Sequence, residues 1–135
     1  MDQAAHGQLA DLSPDECWEL ITTTPVGRIA WTASNGPVVV PVNFAVNGRS
    51  IKVRTTAYSS MVQDADGERV AFEVDHIDET TRTGWSVLVR GRAEVRYGEP
   101  DDGTVPEPWP RGPRPATVVV DADEITGRWL RPPGP

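Results

Sequence analysis

Residues 85 to 97 alternate with a period of two. Trp85, Val87, Val89, Gly91, Ala93, Val95 and Tyr97 fall on one side, and Ser86, Leu88, Arg90, Arg92, Glu94 and Arg96 on the other. Successive side chains of a strand point to opposite faces, so this segment reads as a long half-buried strand. Gly91 in its middle points to a bend or a close backbone approach, as at a barrel corner.

The same grammar runs through most of the chain. Val26 to Ala33 and Pro37 to Val46 read as strands joined at Ser34-Asn35-Gly36. Asn47-Gly48 is a strong two-residue hairpin signal and predicts a type I′ turn into a third strand, Arg49 to Thr55. Residues 57 to 66 are a polar connection with room for a helical turn or two. Arg69 to His76 is a fourth strand and Asp78 to Thr83 a loop. After the long strand, the proline-rich residues 98 to 115 read as an irregular loop. Ala116 to Val120 is a sixth strand, and Ile125 to Leu130 a short strand or turn. One helix leads. Ser13 caps it, Pro14 suits the first position and Glu16 completes a capping box, with Leu12 and Cys17 placed as a staple. Its face carries Trp18 and Ile21, and the threonines with Pro25 stop it near residue 22. Residues 1–11 are polar and aperiodic and read as a disordered tail, leaving a domain over residues 12–130 and a tail over 131–135. About six hairpin-linked strands with one leading helix describe a closed or nearly closed antiparallel barrel.

Composition narrows the function classes. A 135-residue chain with 38% hydrophobic residues forms one globular domain with a core of its own. A formal net charge of −7 opposes binding to phosphate backbones or anionic lipid, so neither nucleic acid nor membrane is an expected partner. Met1 to His6 lacks the basic start and apolar stretch of a secretory leader, and the single cysteine allows no internal disulfide; the cytoplasm is the expected compartment. His6 and His76 lie far apart in sequence, with Cys17 as the one thiol, so no metal site is expected. No nucleophile elbow, P-loop or dinucleotide fingerprint occurs. If the chain is an enzyme, a cofactor must bring the chemistry.

The hairpin carries the best clue to a ligand. A turn at Asn47-Gly48 pairs Val46 with Arg49, Phe44 with Ile51, Asn43 with Lys52, Val42 with Val53 and Pro41 with Arg54. Paired residues share a face. Val42, Phe44, Ile51 and Val53 then form an apolar face, and Asn43, Lys52 and Arg54 a polar one that runs into Thr55, Thr56, Ser59 and Ser60. Cations beside a hydroxyl-rich turn suit an anion such as a phosphate; the plainer alternative is a solvated strand face.

Val26-Gly27-Arg28-Ile29-Ala30, Val40-Pro41-Val42-Asn43-Phe44 and Val53-Arg54-Thr55 resemble the early strands of pyridoxamine 5′-phosphate oxidase-like proteins. Val70 to Asp75 and Gly84 to Gly91 are similar to an actinobacterial branch of that family, and Ile125-Thr126-Gly127-Arg128 resembles its C-terminal motif. The resemblance implies an all-β fold with one or two short helices, an antiparallel split β-barrel of the FMN-binding type, working as a homodimer with FMN at the interface. By position, Arg54 and Thr55 would hold the FMN phosphate with the turn at Ser59 and Ser60. Pro41, Val42 and Asn43 would line the isoalloxazine. Trp85 and Ser86 lie on a strand that helps build the pocket and interface, and Trp129 would reach the ring edge. Trp31, Trp85, Trp109 and Trp129 also exceed what one small core needs, which suits a subunit contact.

Two departures stand out. Relatives often carry a lysine after the hydroxyl of that turn, where this chain has Ser60-Met61; a thioether supplies no charge, and losing one charge-assisted contact costs about 1.5–3 kcal/mol. Lys52 is the nearest substitute. Pro115-Ala116-Thr117 replaces bulkier, more polar residues, and the substrate-binding residues of true pyridoxamine phosphate oxidases have no match. The resemblance therefore implies a flavin-dependent oxidoreductase acting on an unknown small molecule. The alternatives are a non-enzymatic flavin carrier, sensor or cofactor-free dimer, and a deazaflavin-dependent reductase.

Overall fold

The computed structural model describes residues 7–56, 59–98 and 106–133. Its elements, in chain order, are β1 (Gln8–Leu12), α1 (Pro14–Ile21), β2 (Val26–Ala33), β3 (Gly36–Asn43), β4 (Ala45–Asn47), β5 (Ser50–Thr55), α2 (Ser60–Ala65), β6 (Arg69–Asp78), β7 (Thr83–Tyr97) and β8 (Ala116–Arg131). All the ladders are antiparallel. The strands form one sheet in the order β3-β2-β6-β7-β8-β5-β4, with β1 added to β8. Among the described residues no ladder joins β3 to β4, so the barrel is split rather than closed.

The helix follows its local chemistry. The Ser13 side chain accepts from the Glu16 N–H at 3.2 Å, and the Ser13 N–H donates to the Glu16 carboxylate at 2.8 Å. That reciprocal box satisfies two donors at the helix start. Cys17 and Ile21 turn into the core, against which Leu12 also packs. Burial pushes the Cys17 thiol up, so it remains a small apolar filler rather than a nucleophile.

Alternation organises the sheet. Val87, Val89 and Ala93 of β7 are buried, while Arg90, Arg92 and Glu94 on the other face are exposed. β6 contributes Val70, Phe72 and Val74 to the same core, and β2 contributes Ile29 and Trp31. Gly91 sits at a register shift: Arg90 pairs with Glu124 and Gly91 with Ala122, leaving Asp123 as an extra residue. A Cβ at Gly91 would lie 2.0 Å from the Asp121 carbonyl oxygen, so the close approach needs glycine.

Four expectations are corrected. Residues 8–12, expected within a disordered tail, are β1, paired with Gly127 to Arg131 on the edge that β5 leaves open beyond Asp121; residues 1–6 of that tail lie outside the described residues. The two separate C-terminal pieces are a single strand, β8. The acidic residues between them are taken up by neighbouring strands: Asp121 accepts from the Ser50 hydroxyl at 2.7 Å, Asp123 pairs with Arg69, and Glu124 pairs with Arg90 at 3.0 Å. The hairpin register is also different. Asn47 pairs with Ser50 and Val46 with Ile51, so Gly48-Arg49 is the loop. Gly48 alone of these takes a positive φ, +60°, which fits a type II′ turn and not type I′. The expected strand over Pro37 to Val46 breaks at Phe44, because Pro41 to Asn43 pair with β2 while Ala45 to Asn47 pair with β5. The expected pairs Val42–Val53, Asn43–Lys52 and Pro41–Arg54 therefore do not form.

On the outer face, Arg28 of β2 reaches Glu73 at 3.4 Å and Asp75 at 3.3 Å on β6. Partial burial, and then the neighbouring Asp75, push the Glu73 carboxyl up to about 7, against the lowering pull of Arg28. The folded chain keeps a proton there that the unfolded chain releases near 4.5, so this group's contribution to stability declines as pH rises from 4.5 to about 7. Glu73→Gln should gain on the wild type in urea midpoint across that window. A midpoint difference that is the same at both ends of the window would show that Glu73 is not raised.

Candidate functional site

The break at Phe44 opens a cavity. β3 ends beside it, β5 delivers its last residues to it, and α2 closes one wall. Its volume is about 490 Å³, within the size range of small-molecule pockets. Pro41, Val42 and Asn43 line it from β3, Arg54 and Thr55 from β5, and Met61 from α2. Five of the nine residues that the resemblance implies for the cofactor thus converge, although the hairpin register that would put Asn43 and Arg54 on one face is not the one formed. Convergence comes instead from the chain bend: β3 and β5 meet at the pocket without being paired.

The other wall is the proline-rich segment after residue 105. Pro108, Trp109, Pro110 and Arg114 line the same cavity. Five of the ten residues from 106 to 115 are prolines, which have no N–H to donate. Between Pro108 and Pro110 the one available donor is Trp109, and its N–H goes to Asn43 Oδ1 at 2.8 Å. Asn43 Nδ2 in turn donates to the Pro25 carbonyl at 3.2 Å, so this side chain ties the segment to the start of β2. At the far end, Arg54 Nε and Nη2 both donate to the Arg114 carbonyl, at 2.9 and 2.6 Å. Residues 108–114 are therefore a strap fastened across the cavity by two residues the sequence marked as ligand-binding. Trp109 and Arg114 escaped that reading because their segment looked like a plain connection. The available signal was an aromatic and two arginines set into a stiff proline framework.

The described lining of this cavity is cationic. No aspartate or glutamate is among the described residues that line it, while Arg54 and Arg114 both do, on a chain of net charge −7. A cavity of apolar walls with two cations suits a flat apolar ligand that carries an anionic group.

The remaining residues lie elsewhere. Ser59 caps α2, accepting from the Val62 N–H at 3.2 Å, and Ser60 is the exposed first residue of that helix; neither lines the cavity. Lys52, expected on the polar face with Arg54, is 4% exposed between Ala45 and Val119 and does not line it. Met61 is 6% exposed and belongs to the core cluster, so a lysine there would enter apolar surroundings. Trp85 and Ser86 line a different cavity of about 530 Å³ with Leu9, Ile77 and Leu130, and Trp85 stands opposite Trp129 across the β7–β8 ladder.

The family model described as pyridoxamine 5′-phosphate oxidase matches residues 13–129. An uncharacterised protein of Mycobacterium tuberculosis is 33% identical over 129 residues, covering 89% of this chain and 84% of the relative. The FAD binding protein from Mycobacterium smegmatis superposes with a TM-score of 0.73 at 33% identity, covering 92% of this chain and 100% of that one. A conserved protein of unknown function from Corynebacterium diphtheriae gives 0.70 at 26% identity, with 90% and 98% covered. With the split sheet and a match running through nearly all of its strands, the chain belongs to the pyridoxamine 5′-phosphate oxidase family.

Proposed function

We propose that this protein binds a flavin in the cavity between Asn43 and Arg54, with the phosphate at the arginine end, and that it works as a homodimeric oxidoreductase on a small molecule. The observation that carries the reading is the pairing of apolar walls with two arginines and no carboxylate. The M. smegmatis relative, an FAD binding protein, supports a flavin as the ligand class. FMN is the form proposed here; FAD and a deazaflavin would use the same phosphate end.

A bound flavin would supply hydride or electron transfer. The protein's part is to hold and orient it. Pro41 and Val42 offer a flat apolar wall, and Asn43 keeps the strap in place over it. None of the described lining residues is an acid or a histidine that could move a proton. That same observation favours, as the second reading, a flavin carrier or sensor without chemistry of its own.

Trp85 and Ser86 enter the site only from a second copy. The face they share with Leu9 and Ile77 leaves both of those side chains more than 60% exposed. A two-fold partner covering this apolar face would bury Trp85 and Ser86 in the subunit contact, which is where the family resemblance puts them. No helix of the described residues is long and apolar enough to cross a membrane, and a cytoplasmic location is part of the proposal.

Titration of the purified protein with FMN, FAD and a deazaflavin, read by fluorescence and visible absorbance, tests the cofactor. Light scattering at micromolar concentration tests the dimer. Saturable binding of FMN by a dimer supports the proposal. A chain that no flavin reconstitutes sinks the flavin reading, and a persistent monomer removes Trp85 and Ser86 from the site.

A further inference from the structure

Arg28, Arg69 and Arg90 are each matched to a carboxylate on a neighbouring strand. Arg114 is not: among the described residues its side chain has no ion pair, and the cavity it lines holds no acid. Its backbone is nevertheless constrained. Pro113 and Pro115 flank it, which limits the conformations on both sides. Its carbonyl receives two hydrogen bonds from Arg54.

That contact commits Arg54 Nε and one N–H of Nη2 to the strap. A guanidinium has five N–H donors, so the others remain for a ligand. The same side chain thus fastens Arg114 beside the place where Arg54 itself can receive an anion. Both arginines line one pocket whose described residues include no counter-charge, so a dianion bound there is drawn to both. Met61 cannot share that work, because it has no charge.

We propose that Arg114 is the second cation of the anion site, binding the phosphate of the ligand together with Arg54 and standing in for the charge that Met61 does not supply. In naming a flavin phosphate this rests on the function proposed above. The anion contact itself can be tested without it.

Arg114→Ala removes the guanidinium and keeps the carbonyl, so the tie to Arg54 survives and the strap stays fastened. FMN and riboflavin differ in the phosphate, which makes them the matched probes. Arg114→Ala should weaken FMN about 10- to 100-fold and leave riboflavin within about two-fold. Arg114→Lys, which keeps the charge, should recover part of the loss, and the gap between variants should narrow in high salt. Equal weakening of both ligands would show that Arg114 acts on the strap and not on the phosphate, and unchanged FMN binding would overturn the assignment. If the wild type binds neither FMN nor riboflavin, the flavin reading fails by itself. Inorganic pyrophosphate then becomes the probe: a thermal shift present in wild type and lost in Arg114→Ala supports the anion site, and no shift in wild type overturns it.

Discussion

A Phe72→Ala chain should lose about 3–5 kcal/mol of unfolding free energy. Phe72 is fully buried at the middle of β6, opposite Ile29 on β2 and Val89 on β7. Its ring meets Phe44 edge-on, with centroids 5.0 Å apart and planes at 66°. Truncation removes the transfer free energy of the ring and leaves a void that three regular strands cannot close around. A domain of this size has about 5–15 kcal/mol to lose, so the effect is a large share of the whole. With about 2–8 °C per kcal/mol, the melting temperature should fall by roughly 10 °C or more. The consequence also reaches the site. Phe44 is the residue at which β3 gives way to β4, next to Asn43, so loosening its ring contact loosens the anchor of the strap. Urea and thermal melts at neutral pH measure the loss. A drop under about 1 kcal/mol would mean that this core repacks far more freely than its regular ladders imply.

Arg54→Ala should weaken ligand binding and loosen the strap together. It removes a cation from the cavity and both hydrogen bonds that hold the Arg114 carbonyl. FMN should bind about 10- to 100-fold more weakly, corresponding to about 1.5–3 kcal/mol for a charge-assisted contact. Riboflavin should weaken less, because the strap is affected but the phosphate is missing. The fold should persist, since the backbone ladder between Arg54 and Thr117 does not depend on the side chain. The strap gives an independent readout. Arg111 is exposed within it, and trypsin should cleave after Arg111 faster once the tie at Arg114 is gone. Arg54→Lys should fall between, because an ammonium keeps the charge but lacks the planar fork. If Arg54→Ala binds FMN as the wild type does, the phosphate lies elsewhere in the cavity or in another one.

Much of this architecture was legible in neighbouring residues. The capping box of α1 involves Ser13 and Glu16, three positions apart, and forms as written. The alternation of β7 places its arginines outside and its valines inside because strand geometry forces a period of two. Gly91 marks the close backbone approach that its position announced. The family resemblance grouped Pro41, Val42, Asn43, Arg54 and Thr55, and these five line one cavity.

What the sequence could not decide was which backbone edges would be left open for whom. Gln8 to Leu12 has no strong strand pattern of its own and becomes β1 because β8 outruns β5 and leaves N–H and C=O groups to pair. Asp121 to Glu124 runs on within β8 where Ser50, Arg69 and Arg90 from other strands take up its carboxylates. The hairpin slid by one position at its loop, and β3 left β5 for β2, because Arg28 and its neighbours offered a longer ladder than the turn alone could set. The strap is the plainest case. Its prolines announce stiffness but not direction, and it lies across the cavity because Asn43 and Arg54, 66 and 60 residues away, accept and donate the hydrogen bonds that hold it. Periodicity and capping are recorded within a few residues of chain; edge pairing and long-range hydrogen bonds depend on groups that meet only after the sheet has closed around its core.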